Sequence, residues 1–164
     1  MNLDLDVQLQ VALRALEDTV APALGGAEKH VVEQFHLALL TLRFVHGRLP
    51  DMRRYARMEL DACLALARES IAAAGSAPAL ADAVGAAEVV RADPAADTAG
   101  VEQAARRLRD EVTALASATS DPAIAARLDR LVLEAGEAMI GQARQWASPF
   151  GFELRPDDLP APAW

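Results

Sequence analysis

The 164-residue sequence predicts an all-α protein: an antiparallel helical bundle of four long helices plus one short helix and an irregular, proline-rich C-terminal tail. Three observations predict it. Apolar residues recur at three- and four-residue spacing along most of the chain, the period of a helix with one buried face. More than a fifth of the residues are alanine and only 4% are aromatic, which favours helix on propensity and puts small side chains where helices meet. Proline and glycine fall between the periodic stretches and divide them into helix-length pieces.

The first helix begins near Asp4 or Asp6, whose carboxylates suit a positive N-terminal end, and runs through Val7, Val11, Leu13 and Leu16 to Val20. Pro22 and the pair Gly25-Gly26 stop it. The second helix covers residues 27–46 with Gly47 as its stop. Val31, Phe35, Leu39, Leu42 and Val45 share one apolar face of it, and Leu37, Leu40 and Phe44 share another on the far side. Such a helix is either central in the bundle or lends one face to another subunit. Pro50 suits the first turn of a third helix, which continues through Met52, Ala56, Leu60, Cys63, Leu64, Ala67 and Ile71 to Gly75 and forms an antiparallel αα-hairpin with the second.

Ser76 and Pro78 open a short helix through Leu80, Val84, Ala87 and Val90, weakly apolar and therefore expected to pack loosely. The next helix, residues 98–118, carries Val101, Ala104, Leu108, Val112 and Leu115 in one stripe and is expected on the outside of the bundle. Ser120-Asp121-Pro122 starts the last helix, whose stripe is Ile124, Leu128, Leu131, Ala135, Met139 and Trp146. Gly136 and Gly141 on it are expected to mark close helix contact. Beyond Ser148, four prolines exclude regular structure, and Phe150, Phe152 and Trp164 are the side chains that would pin this tail to a groove. One bundle domain over residues 1–147 and a tail over 148–164 is the expected organisation.

A net charge of -8 and a pI near 4.8 make the whole protein repel a phosphate backbone, so nucleic acid is not an expected partner. Cys63 is the single cysteine, which excludes an internal disulfide and fits a reducing compartment. The sequence starts acidic where a signal peptide would be basic, and no apolar run reaches the ~18 residues of a membrane span. A cytoplasmic protein that does not engage a membrane is expected. The alanine and arginine bias resembles that of a GC-rich bacterial genome.

The chemistry-bearing residues gather around the hairpin of the second and third helices. Arg43, Arg48, Arg53, Arg54 and Arg57 are opposed locally only by Asp51, giving a positive patch on an acidic chain. Its two readings are an anion site, for a carboxylate, a phosphate or an acidic partner segment, and a set of arginines satisfied by Asp51, Asp61 and acidic residues of other helices. Glu33 and His36 have the E-x-x-H spacing of di-iron bundles, but no second copy exists to complete four-carboxylate ligation, even with Glu59, Glu134 and Glu137 to draw on. The three histidines, His30, His36 and His46, do not converge on one helix face. Neither metal nor cofactor is therefore expected, and no catalytic residue is assigned. His46 is expected to donate to a carbonyl or to Asp51, Glu59 to be part-buried and paired with His36 or Arg43, and Cys63 to be an inert core thiol.

Two functions compete. The first is a noncatalytic protein acting by self-association, or as an accessory subunit of a protein partner, through Leu37, Leu40 and Phe44. The alternative is a binding protein or enzyme for an anionic or acyl small molecule between the second and third helices. Arg43, Arg53, Arg54 and Arg57 would hold its charged end, and His36, Tyr55 and Glu59 would line the pocket.

Overall fold

The computed structural model describes residues 4–151 and 153–164. It is all-α, and no strand occurs among the described residues. Six α-helices follow one another: α1 Leu5–Ala15, α2 Lys29–Arg48, α3 Met52–Ala74, α4 Pro78–Ala92, α5 Thr98–Ala118 and α6 Pro122–Ala147. Of these, α2, α3, α5 and α6 each reach 20 residues or more and are the four long helices. None of the described helices is long and apolar enough to cross a membrane.

Three of the helix starts follow from capping carboxylates. Asp4 accepts from the Asp6 amide at 3.1 Å, Asp97 from Gly100 at 2.7 Å, and Asp121 from Ala123 and Ile124 at 2.8 and 3.2 Å. Past Ala15 the first helix continues through a π turn, Leu16–Val20, and a last α turn, Ala21–Ala23. The π spacing falls just before Pro22, which has no N–H to offer the Asp18 carbonyl. Gly75 ends α3 with φ of +77°, the left-handed geometry that only glycine adopts cheaply, and its amide returns to the Ile71 carbonyl. Gly47 does not stop α2 as expected. It keeps right-handed helical geometry, the Leu49 amide still bonds to Val45, and a 3₁₀ turn, Leu49–Asp51, leads straight into α3.

The backbone divides into two compact units, Met1–Pro50 with Ala147–Leu154, and Asp51–Trp146 with Arg155–Trp164. The expected hairpin is therefore not one packing unit, because α2 belongs to the first and α3 to the second. In the first unit α1 and α2 meet over a short stretch, and the turn Ser148–Phe150 lies against α2. Leu13 and Leu39 are its only buried apolar residues among those described. Glu17–Arg43 at 2.6 Å and Asp6–His46 at 2.8 Å tie the two helices at their edge.

The second unit is built on α3, α4 and α5, each packed on the other two. Ala56, Leu60, Cys63, Leu64 and Ala67 of α3 meet Leu80, Ala83, Val84 and Ala87 of α4 and Val101, Ala105, Leu108 and Val112 of α5. Alanines alternate with leucines and valines in this seam, so backbones approach closely while the larger side chains fill the space between turns. Each fully buried leucine contributes roughly 2 kcal/mol of transfer free energy. One expectation is corrected here. The segment expected to pack loosely, α4, places four residues in the core, whereas α5 turns one apolar stripe onto both neighbours and leaves Glu102, Arg106 and Arg107 exposed on its outer face. Small side chains, poor in hydropathy, make the closest seams. Outside the core, Arg68–Glu88 at 2.7 Å and an Arg91–Asp61 ion pair link α3 to α4 in antiparallel order.

Helix α6 packs differently. Leu128 is fully buried and Met139 reaches the core, but Ile124, Leu131, Ala135 and Trp146 are only half-buried. The close helix contact expected at Gly136 and Gly141 is absent: nothing lies within 4 Å of a Cβ built on Gly136, and a Cβ on Gly141 would meet Pro160 of the tail at 3.3 Å. Residues 160–164 thus run over Gly141 as a strap.

Candidate functional site

The seven residues expected around a ligand are divided between the units, His36 and Arg43 in the first and Arg53, Arg54, Tyr55, Arg57 and Glu59 in the second. In the first, the His36 ring stands edge-on to Phe35 at 5.9 Å and is exposed. Arg43 donates to Glu17, which raises the guanidinium pKa, and the same hydrogen bond lowers that of the Glu17 carboxyl. His46 pairs with Asp6 rather than with Asp51 or a carbonyl.

In the second unit Arg53 and Arg57 serve backbone oxygens. Arg57 donates to the carbonyls of Arg91 at 3.0 Å and Asp93 at 2.7 Å, and Arg53 donates to Pro94. These carbonyls sit at the C-terminal end of α4, where the last turn has no internal donors and the helix dipole is negative. Arg54 reaches Asp51 at 3.7 Å. Arg53 and Arg57 of the cluster noted in the sequence thus tether the α4–α5 connection to the start of α3.

Glu59 is half-buried, and burial pushes its carboxyl pKa up; Arg109 of α5 opposes that and Glu102 adds to it. Glu59 in turn helps burial raise the Tyr55 hydroxyl. Arg109 also donates to the Cys63 sulfur at 3.5 Å, yet burial dominates and holds the thiol above its ordinary value. Such a thiol is protonated at neutral pH and a poor nucleophile. Arg109 was missed in the sequence because its partners lie 46 residues away in the Cys63 case, on another helix.

Tyr55 belongs to an aromatic trio. Its ring centroid is 4.3 Å from that of Trp146 and 5.4 Å from that of Trp164, and the two tryptophans meet edge-to-face at 5.3 Å. The expected pinning of the tail by Trp164 is present. The Phe150 side chain and Phe152, the other expected anchors, lie outside the described residues. Gln142 clamps the same strap, donating to the Ala161 carbonyl and accepting from the Ala163 amide, both at 3.1 Å.

Between α3 and α6 runs a groove with a cavity of about 410 Å³, bordered by Met58, Ala62 and Leu66 on one wall and Leu131, Ala135 and Met139 on the other. Ala163 and Gln142 also line it, and Glu69 and Glu134 are its ionisable lining residues. The tell-tale in the sequence is alanine at successive helical turns of both facing stripes, at Ala62, Ala65, Ala135 and Ala138. Among the described residues no cluster of three or more His, Cys, Asp or Glu is placed to hold a metal ion.

The third feature is the surface of α2. Leu37 and Leu40 are 48% and 42% exposed, Phe44 is half-buried, and Val31, Leu42 and Val45 on the opposite side are exposed as well. Comparison with known proteins finds no matching family model, no matching curated protein and no matching solved structure.

Proposed function

We propose that the protein is a noncatalytic helical module that acts by pairing with a second copy of itself through α2. The observation that carries this reading is the exposure of apolar residues on both sides of that helix, in a unit that buries only Leu13 and Leu39 of its described apolar residues. A unit of this size buries too little surface to be more than marginal without help, and association is one of the few remedies open to it. Contiguous exposed apolar surface is also the mark of an interaction site.

A second copy is the favoured occupant because the face complements itself. Leu37, Leu40 and Phe44 repeat at helical spacing about Leu40, so two α2 helices packed antiparallel across a two-fold axis would interleave the same three residues. That arrangement opposes the helix dipoles. It also brings the end bearing Glu28 and Glu33 towards the end bearing Arg43 and Arg48 of the other copy. Light scattering of the full chain at micromolar concentration should give a dimer, and Leu40→Asp should give a monomer with a lowered melting temperature in its first unit. A monomeric parent protein whose Leu40→Asp variant melts unchanged would eliminate this function.

A further inference from the structure

We propose that the groove between α3 and α6 binds a lipophilic cation, an alkyl or aryl-alkyl amine whose apolar body lies along the alanines and whose charged nitrogen sits at Glu69 and Glu134. This site lies wholly in the second unit and does not depend on pairing through α2.

The cavity, about 410 Å³, falls within the range of small-molecule pockets. Its lining residues are spread along both helices. From Met58 to Glu69 the α3 wall advances eleven residues, ~16 Å at the helical rise of ~1.5 Å per residue. Alanines on both walls hold the helices' larger groups out of the slot, and Met58 and Met139 supply flexible, polarisable flanks that adapt to a varied apolar body. One end is blocked: Gln142 and Ala163 line the cavity there, and Gln142 holds the strap on both sides of Pro162. Glu69 lies towards the other end of the α3 wall.

Charge selects the head group. Both ionisable side chains lining the cavity are carboxylates, and neither has an ion-pair or hydrogen-bond partner among the described residues. Arg127 and Arg130 line an adjoining recess of about 310 Å³ together with Glu69, Ala72 and Leu131. Glu69 thus borders both recesses, and carboxylates are the only charged groups that line the slot itself. The net charge of -8 acts in the same sense.

The probe is dodecyltrimethylammonium, kept below its micelle concentration and titrated into the full chain by calorimetry, with dodecanoate as the anionic counterpart. Both tryptophans of the protein stand in the trio with Tyr55, so a chain in the groove should also change their emission. Saturable binding at one cation per chain is expected, with dodecanoate about tenfold weaker or more. Glu69→Gln with Glu134→Gln should weaken the cation about tenfold, the size that two partly screened ion pairs supply. Asp18→Asn with Glu28→Gln, an equal charge change in the first unit, should leave binding intact, as should Leu40→Asp. Ala135→Phe should fill the slot and abolish binding; if it fails to fold, the exposed glutamate pair still decides the matter. Dodecanoate binding as tightly as the cation, unsaturable binding, or an unchanged affinity in the glutamate pair would each overturn the assignment.

Discussion

Arg57 shows how a charged side chain can be noticed in a sequence and still be misread there. Its charge and its neighbours Arg53 and Arg54 are plain in the sequence, but its partners are the carbonyls of Arg91 and Asp93, which every residue type possesses and no residue identity reveals. Truncating the guanidinium while keeping the aliphatic stem, as in Arg57→Met, removes two charge-assisted bonds at a helix end and should cost about 1–3 kcal/mol in urea unfolding. Glu59 was legible as a part-buried carboxylate because it lies between apolar positions on its helix, whereas the arginine facing it, Arg109, comes from α5. Its folded-state pKa is raised, so the folded protein holds the proton more tightly than the unfolded chain does. The stability this contributes is complete below the ordinary carboxylate value and is lost as pH rises through the raised one. Glu59→Gln should therefore melt higher than the parent near pH 7, and the difference should vanish near pH 4 in a pH series of thermal melts. Glu17 has the opposite sign: its lowered pKa contributes stability above the ordinary value that disappears as pH falls.

Elements announced by local chemistry were the most legible. Asp121-Pro122 and Gly75 mark boundaries through capping and left-handed geometry, both properties of a few adjacent residues. Gly75→Ala should cost about 1–2 kcal/mol, read as a lower urea midpoint at unchanged slope, because alanine must take φ of +77° or give up the cap. Gly47 misled for the converse reason. Glycine permits a left-handed stop without requiring one, and the bonds from Leu49 back to Val45 keep the helix going. The role of α4 was not legible either. Hydropathy ranks alanine-rich stripes as weak, while packing rewards close backbone approach, so the seam rich in Ala83, Ala87 and Ala105 lies at the centre. The groove beside α6 reverses that lesson. Alanines at Ala62 and Ala135 leave space where the facing helix stands off, and no periodicity distinguishes a seam from a slot.

For the molecule as a whole, the all-α architecture was readable from periodicity and composition, but the division at Pro50 was not. An apolar stripe shows that a face should be covered, and says nothing about what covers it. The consequence is an uneven distribution of stability, with a many-membered core in the second unit and two buried apolar residues among those described in the first. Hydrogen exchange should therefore find the amides of α3 and α5 protected to the level of global unfolding, while those of α1 and α2 exchange through cheaper local opening. Equal protection in all four helices at nanomolar concentration would contradict this. Cys63, sealed at 1% exposure under α5, turns that difference into something chemically visible. An alkylating reagent can reach the sulfur only when the second unit opens, so the rate of modification clocks that event alone, and the chain's sole thiol stays silent while the first unit comes apart.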